Sequence, residues 1–405
     1  MIPFSPPRID ERIIAEVVDT LRSGWITTGP KTKEFEKRLT DYCGNGATLA
    51  VNSATSGLEL VLRWFGIKEG DEVILPAYTY CATANVVIHC GAKPVMVDVN
   101  STDFNINVEN IRRAINSKTK VIMPVDLAGF PCDYDEINAL VKEPSINALF
   151  SPNTPPQKQL GRILILSDSA HSFGAKYKNK RSGSLADVSV FSFHAVKNLT
   201  TAEGGAIALN FQNSFDNSVL YNYLCTMSLH GQNKDALAKT KKGAWRYDVI
   251  DNGYKSNMTD LQASIGLVEL DRYDTDMLPY RRGIYEQYEE AFKKETWAEL
   301  PIYETEDKLS SFHVYCLRIK GIRQAERDQI IQEIFDQEVS VNVHFQPLPL
   351  LTAFKNRGYE MQDYPISYDN YSREISLPVW YGLDTLKVQT VIEAVCRSVR
   401  KVLNL

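Results

Sequence analysis

Near the start of the chain, apolar residues fall at Ile9, Ile13, Ile14, Val17, Val18 and Leu21. That is helical spacing, and Gly24 follows as a stop, so the pattern predicts an amphipathic N-terminal helix. Further on, short apolar runs at 72–75, 94–97, 121–125 and 163–166 alternate with helix-length segments. Such alternation is the mark of βα units around a mainly parallel sheet. After about residue 275 the pattern changes to a long charged helix over 280–294 and a strand-like 312–319. The chain therefore reads as α/β in two domains: residues 1–275 carry the N-terminal helix and the main sheet, and residues 276–405 form a smaller α+β unit. Residues 145–162, with Pro152-Asn153-Thr154-Pro155-Pro156, read as a long loop, and no internal repeat is visible.

Two of these strands end beside residues that carry chemistry. Asp168 directly follows Ile163-Leu164-Ile165-Leu166-Ser167, and Ser189-Val190-Phe191-Ser192-Phe193 leads toward Lys197. Open α/β sheets bind ligands at the carboxyl ends of their strands. A lysine and an aspartate at such ends match the needs of pyridoxal phosphate (PLP), which takes an amine to hold it as a Schiff base and an anion to keep its ring nitrogen protonated. Lys197 then serves as tether and proton carrier. Taken alone, either residue would more often be a solvated lysine or a loop aspartate; their placement after two strands changes that balance. The small and hydroxyl-bearing run Ser53-Ala54-Thr55-Ser56-Gly57 precedes a helix-like Leu58-Glu59-Leu60-Val61-Leu62. It is suited to a phosphate at a helix start, with Thr55 and Ser56 as the main candidates, although such runs are also ordinary capping turns.

Five separated motifs, in order, resemble the DegT/DnrJ/EryC1/StrS group of sugar aminotransferases, within fold type I of the PLP enzymes. They are Ser23-Gly24-Trp25-Ile26-Thr27-Thr28-Gly29-Pro30, Asn52-Ser53-Ala54-Thr55-Ser56-Gly57, Gly70-Asp71-Glu72-Val73-Ile74-Leu75-Pro76, the Lys197 segment, and Gly253-Tyr254-Lys255-Ser256-Asn257-Met258-Thr259-Asp260-Leu261-Gln262-Ala263. The wording of the first and last is similar to enzymes that aminate C4 of a UDP-linked 4-keto sugar, such as the 4-amino-4-deoxy-arabinose aminotransferase. Many members carry Asn-x-Arg where this chain has Lys255-Ser256-Asn257, and residues 145–162 also depart from the family pattern.

The resemblance implies the aspartate aminotransferase-like fold. It places Tyr80 over the PLP ring and the Ser192 hydroxyl in the phosphate cup, and it has Asn257 reach the phosphate of a neighbouring subunit's cofactor. A homodimer with shared active sites follows. His171 and His194 either tune the cofactor and shape the sugar pocket or are hydrogen-bonded structural groups. His344, Trp25, Thr27 and Thr28 are substrate-contact candidates by position in the family pattern. The implied reaction moves an amino group from L-glutamate to a nucleotide-linked 4-keto-6-deoxy sugar, for a surface polysaccharide or glycan. Nothing in the residues separates glutamate from glutamine, UDP from dTDP, or C4 from C3. A dehydratase branch of the group has histidine in place of Lys197, and a non-catalytic PLP-binding regulator is the alternative from another class.

Composition narrows the rest. At 44% apolar and 23% charged the chain is an ordinary globular one, and a net charge of −5 offers no overall basic surface for nucleic acid. The seven cysteines are scattered without CxxC spacing, which suggests neither disulfides nor a metal site and fits a reducing cytoplasm. No signal-like or membrane-length apolar run is present in the sequence.

Overall fold

In a computed structural model, residues 1–234 and 246–405 are described. The predicted first helix is α1 (Glu11–Ser23): Asp10 accepts the Ile13 N–H at its start and Gly24 ends it in the left-handed conformation. Ile13 is buried, but Ile14 and Leu21 are 44% and 54% exposed, so part of the apolar stripe faces outward. Helix α2 (Pro30–Cys43) follows, opened by proline at its first turn.

Seven strands form the main sheet: β1 (Ala47–Val51), β2 (Glu72–Pro76), β3 (Lys93–Val97), β4 (Thr119–Ile122), β5 (Leu164–Asp168), β6 (Val188–Ser192) and β7 (Gly205–Leu209). Their order is β1-β7-β6-β5-β4-β2-β3. The five from β3 to β6 run parallel, and β7 is antiparallel to both its neighbours. The mainly parallel sheet expected from the apolar runs is thus present. Helices α3 (Ala54–Trp64) and α4 (Cys81–His89) lie in the early crossovers, and the strands are buried nearly throughout, as expected when helices cover both faces. Strand β4 stops short of the expected end because Pro124 has no N–H to give; the chain still bridges Val125 to Asp168.

Residues 145–162 do not form a structureless loop. They contain short helices at Pro144–Asn147 and Pro155–Leu160, the second capped by the Thr154 hydroxyl. Gln157 is buried and donates to the Phe65 carbonyl at 3.0 Å, which ties the stretch to the main body. Prolines that read as loop punctuation are here first-turn helix residues.

Helix α5 (Asp260–Asp271) carries a capping box from Thr259 and Gln262, and its first residue reaches back to the N-terminal segment. Buried Asp260 accepts the N–H groups of Gly29, Lys31 and Thr32 at 2.8–3.1 Å and the Thr32 hydroxyl at 2.6 Å. After one π-turn at Tyr273–Met277 comes α6 (Leu278–Phe292), close to the predicted 280–294. It packs into a second core with α7 (Gln324–Phe335), α8 (Thr385–Leu403) and a three-stranded antiparallel sheet of β8 (Ala298–Glu299), β9 (Tyr315–Ile319) and β10 (Glu374–Leu377). The strand predicted from 312 starts at 315 because the carbonyls of Phe312, His313 and Val314 are taken by Arg281 and Tyr285 side chains from α6. The chain start joins this second core: Ile2 bridges Val339, and the Trp380 indole donates to the Pro3 carbonyl.

Candidate active site

A cavity of about 590 Å³ opens where the carboxyl ends of β5 and β6 meet the second core and the N-terminal segment. Asp168 ends β5 and is buried. Its Oδ2 accepts the Thr83 hydroxyl at 2.8 Å, and its Oδ1 accepts the Ala170 N–H at 3.3 Å. Burial pushes the Asp168 carboxyl up, against the pull of these donors and of Lys197, so a cationic partner would be welcome there. Lys197 sits in the turn after β6, held by main-chain bonds such as its own N–H to the His194 carbonyl at 2.9 Å. Burial brings its amine down to about 8, opposed by Asp168. An amine so poised exchanges protons near neutrality.

The opposite wall is the start of α3. Ser53 caps it, taking the Ser56 N–H on its hydroxyl and the Gly57 N–H on its carbonyl. The N–H groups of Ala54 and Thr55 are left for a ligand at the positive end of the helix. Gly205 makes this approach possible: a Cβ there would lie 2.6 Å from the Ala54 nitrogen and 2.7 Å from the Phe191 carbonyl oxygen. Backbone atoms cannot yield as a side-chain tip can. Gly205→Ala is therefore expected to displace the first turn of α3 and weaken PLP binding by about 1–3 kcal/mol, with far-UV circular dichroism unchanged. Spectral titration with PLP checks this.

Among the imidazoles that line the cavity, three come together: His171, His313 and His344. His171 and His313 are buried with ring centroids 4.4 Å apart. Burial drives both well below the usual histidine range and takes His344 down to about 3, so all three rings are neutral. His313 Nδ1 is 2.8 Å from Asn198 Oδ1, an acceptor, so that nitrogen carries the proton. His171 Nδ1 is buried without a hydrogen-bond partner. Ser192 and His194 also line the cavity; His194 is exposed, with Nε2 3.6 Å from Glu203. Tyr80 stands at the rim, 58% exposed, its ring centroid 5.8 Å from that of Phe345.

Of the residues singled out in the sequence, Lys197, Asp168, His171, Tyr80, Thr55, Ser192, His194 and His344 share this cavity. Ser56 is one position away, with its hydroxyl bonded to Ser53 at 3.0 Å. Trp25, Thr27, Thr28 and Asn257 are not in the lining of the cavity. They gather at α5 instead, where Asn257 donates to Thr28 Oγ1 at 2.6 Å, Thr28 donates to the Met258 carbonyl, and the Thr27 carbonyl accepts the Asp260 N–H. The Trp25 indole closes that turn on the Thr28 carbonyl at 3.1 Å. Asn257 Oδ1 is buried with no hydrogen-bond partner. Sequence reasoning missed Thr83, His313, Phe345 and the N-terminal Phe4 and Ser5, which arrive from distant elements without a local motif.

The residues present fit PLP. A poised amine, a buried carboxylate in want of a cation, a helix start with spare donors and an imidazole nitrogen lacking a partner face one space. Lys197 would hold the aldehyde carbon, Asp168 the ring nitrogen, and the start of α3 with Ser192 the phosphate.

Comparison with known proteins agrees. Residues 7–150 and 158–396 match the model of the DegT/DnrJ/EryC1/StrS aminotransferase family. The gap falls inside 145–162, the stretch that departs from the family pattern in sequence. The fold is similar to that of Spr1654 from Streptococcus pneumoniae, assigned as a sugar aminotransferase. Its PMP form shares 47% identity and a TM-score of 0.95, over 99% of this chain and 100% of that one; a PLP form of the same protein gives 46% and 0.94, over 99% of each. PseC of Helicobacter pylori, an aminotransferase involved in the biosynthesis of pseudoaminic acid, shares 26% identity and a TM-score of 0.85 over 99% of each chain. The spore coat polysaccharide biosynthesis protein SpsC of Bacillus subtilis is 35% identical over 97% of this chain and 96% of its own.

Proposed function

The chain belongs to the DegT/DnrJ/EryC1/StrS aminotransferase family, and from that premise we propose that this PLP-dependent sugar aminotransferase moves an amino group from L-glutamate to C4 of a UDP-linked 4-keto-6-deoxy sugar. The observation that carries the reading is the pairing of Lys197 and Asp168 across one cavity that also holds a helix start for phosphate. When bound, PLP supplies the electron sink that takes up the electron pair left when the donor's α carbon loses its proton. Everything else is the work of this chain. Asp168 keeps a positive charge on the ring nitrogen. Lys197 Nζ takes the proton from the donor's α carbon in the first half-reaction and gives one to the sugar carbon in the second. Tyr80 covers the cofactor ring, and Ser192 with the N–H groups of Ala54 and Thr55 holds the phosphate. His194 and His344 line the side left for substrate, where the neutral imidazole of His344 suits a hydroxyl-rich sugar.

A homodimer with shared sites accounts for the groups that face away from the cavity. Asn257 has an orphaned oxygen, and Ile14, Leu21, Ile26, Val249 and Ile250 are 44–56% exposed. Apolar surface of this extent suits a second copy of the chain, with Trp25, Thr27, Thr28 and Asn257 reaching the partner's site. The name of SpsC, a spore coat polysaccharide biosynthesis protein, supports a role in making a surface polysaccharide. Among the described residues, no helix is long and apolar enough to cross a membrane.

The test is turnover with purified keto sugars. UDP-linked 4-keto-6-deoxy HexNAc is expected to be aminated at C4 with release of 2-oxoglutarate, the amine position being read by NMR of the product. Preferential turnover of a dTDP-linked 3-keto sugar would replace this assignment with the C3 one.

A further inference from the structure

His344 is held by two neighbours that do not themselves line the cavity. Its Nδ1 lies 2.9 Å from Ser376 Oγ, and Ser376 Oγ donates to Glu374 Oε1 at 2.5 Å. The main-chain N–H of His344 reaches Glu374 Oε2 and Ser376 Oγ, each at 3.1 Å. Glu374 and Ser376 are wholly buried, two residues apart on β10 and so on one face of it. Asn342 bridges Ser376, which brings the His344 segment alongside.

A carboxyl buried to this depth is costly unless its surroundings use it. Arg327, from α7, does not pair with the Glu374 side chain; its guanidinium donates to the main-chain carbonyls of Tyr371 and Glu374. The Glu374 oxygens are instead committed to His344 and Ser376. The Cys316 thiol of β9 is also beside them; Arg318, the residue of β9 directly opposite Glu374, and Tyr78, after β2, are further titratable groups around this carboxyl.

A hydroxyl has one proton to give. While Ser376 gives it to a charged Glu374, it can only accept from His344, so Nδ1 holds the ring's proton and Nε2, on the cavity side, is a bare acceptor. Protonation of Glu374 reverses the chain. The acid donates to Ser376, the Ser376 proton turns to Nδ1, and the ring's own proton moves to Nε2.

We propose that Glu374 and Ser376 are positioning residues for His344: the charge on Glu374, relayed by the Ser376 hydroxyl, sets whether the ring presents Nε2 to the cavity as a hydrogen-bond acceptor or as a donor. The acceptor form suits a sugar hydroxyl, and the donor form suits a keto oxygen. That consequence rests on the sugar-binding reading of the cavity; the relay itself does not. Burial pushes Glu374 up to about 8, while Ser376, the His344 N–H, Arg327 and Cys316 favour the charged form, so both states fall within an accessible pH range.

Nitrogen NMR of the PLP-loaded enzyme with labelled histidine rings reads this directly, the His344 signal being the one lost in His344→Gln. At about pH 9, above the Glu374 range, the wild type is expected to carry its proton on Nδ1. Glu374→Gln, whose amide donates to Ser376 at every pH, is expected to carry it on Nε2 under the same conditions. One tautomer common to both proteins would overturn the proposal. Ser376→Ala provides a second check, since it keeps Glu374 but cuts the link. The wild-type ring is expected to move from Nδ1–H toward Nε2–H as pH falls, while the Ser376→Ala ring does not follow; superimposable profiles would also overturn the relay. No sugar enters the measurement, so a failed substrate assignment leaves its result standing.

Discussion

Lys197→Ala is expected to lose steady-state transamination by at least about 10³-fold, the loss of a positioned proton carrier alone being worth 10²–10⁴. The fold should survive. The turn that carries Lys197 is closed by main-chain bonds, and among the described residues Nζ makes no hydrogen bond or ion pair. What the side chain gives is chemistry. It also leaves a mark on stability, and the sign follows from its lowered pKa. An unfolded lysine keeps its proton up to about 10.5, whereas the folded one releases it at about 8. Between those values the unfolded chain binds more protons, so the cofactor-free protein gains stability as pH rises through the window. Lys197→Ala should lack that component. Activity assays for 2-oxoglutarate, circular dichroism and urea melts across this pH range check the three parts, and retained turnover would assign the proton to another group.

Asp168→Asn is expected to lose about 10²–10³-fold in kcat, the scale seen when one electrostatic stabiliser is removed from a site. The substitution preserves shape and still offers an oxygen to Thr83 at the position now 2.8 Å away. Charge is what goes, and with it the reason for the cofactor's ring nitrogen to stay protonated. Asp168→Ala goes further, because Thr83 is wholly buried and would keep only Thr79, 2.9 Å away, as a partner. The kinetic comparison of the two separates charge from packing, and an unchanged rate in Asp168→Asn would show that another group holds the nitrogen.

That Lys197 and Asp168 would lie together beyond the ends of strands was legible in the sequence, because strand ends are recognisable as short apolar runs. The βα alternation likewise foretold the sheet, and Gly24 the end of α1. Other parts depend on contacts that no local pattern carries. Thr83 meets Asp168 across 85 residues, and His313 meets Asn198 across 115. The antiparallel β7 is an apolar run like its parallel neighbours, so its direction is not written in its residues. Prolines 152, 155 and 156 suggested a loop because proline marks both turns and helix starts; the Thr154 cap and the buried Gln157 decide for a helix. Trp25, Thr27, Thr28 and Asn257 do come together, but outside the lining of this chain's cavity; the second copy of the chain proposed above would bring them to its site.

The central claim is tested most directly by the visible absorption spectrum of the purified, PLP-loaded protein before and after L-glutamate is added without any sugar. Loss of the visible band of the lysine-bound cofactor, with one equivalent of 2-oxoglutarate released per site, is the result expected of this aminotransferase. A visible band unchanged by glutamate, or none at all after PLP is supplied, would contradict it.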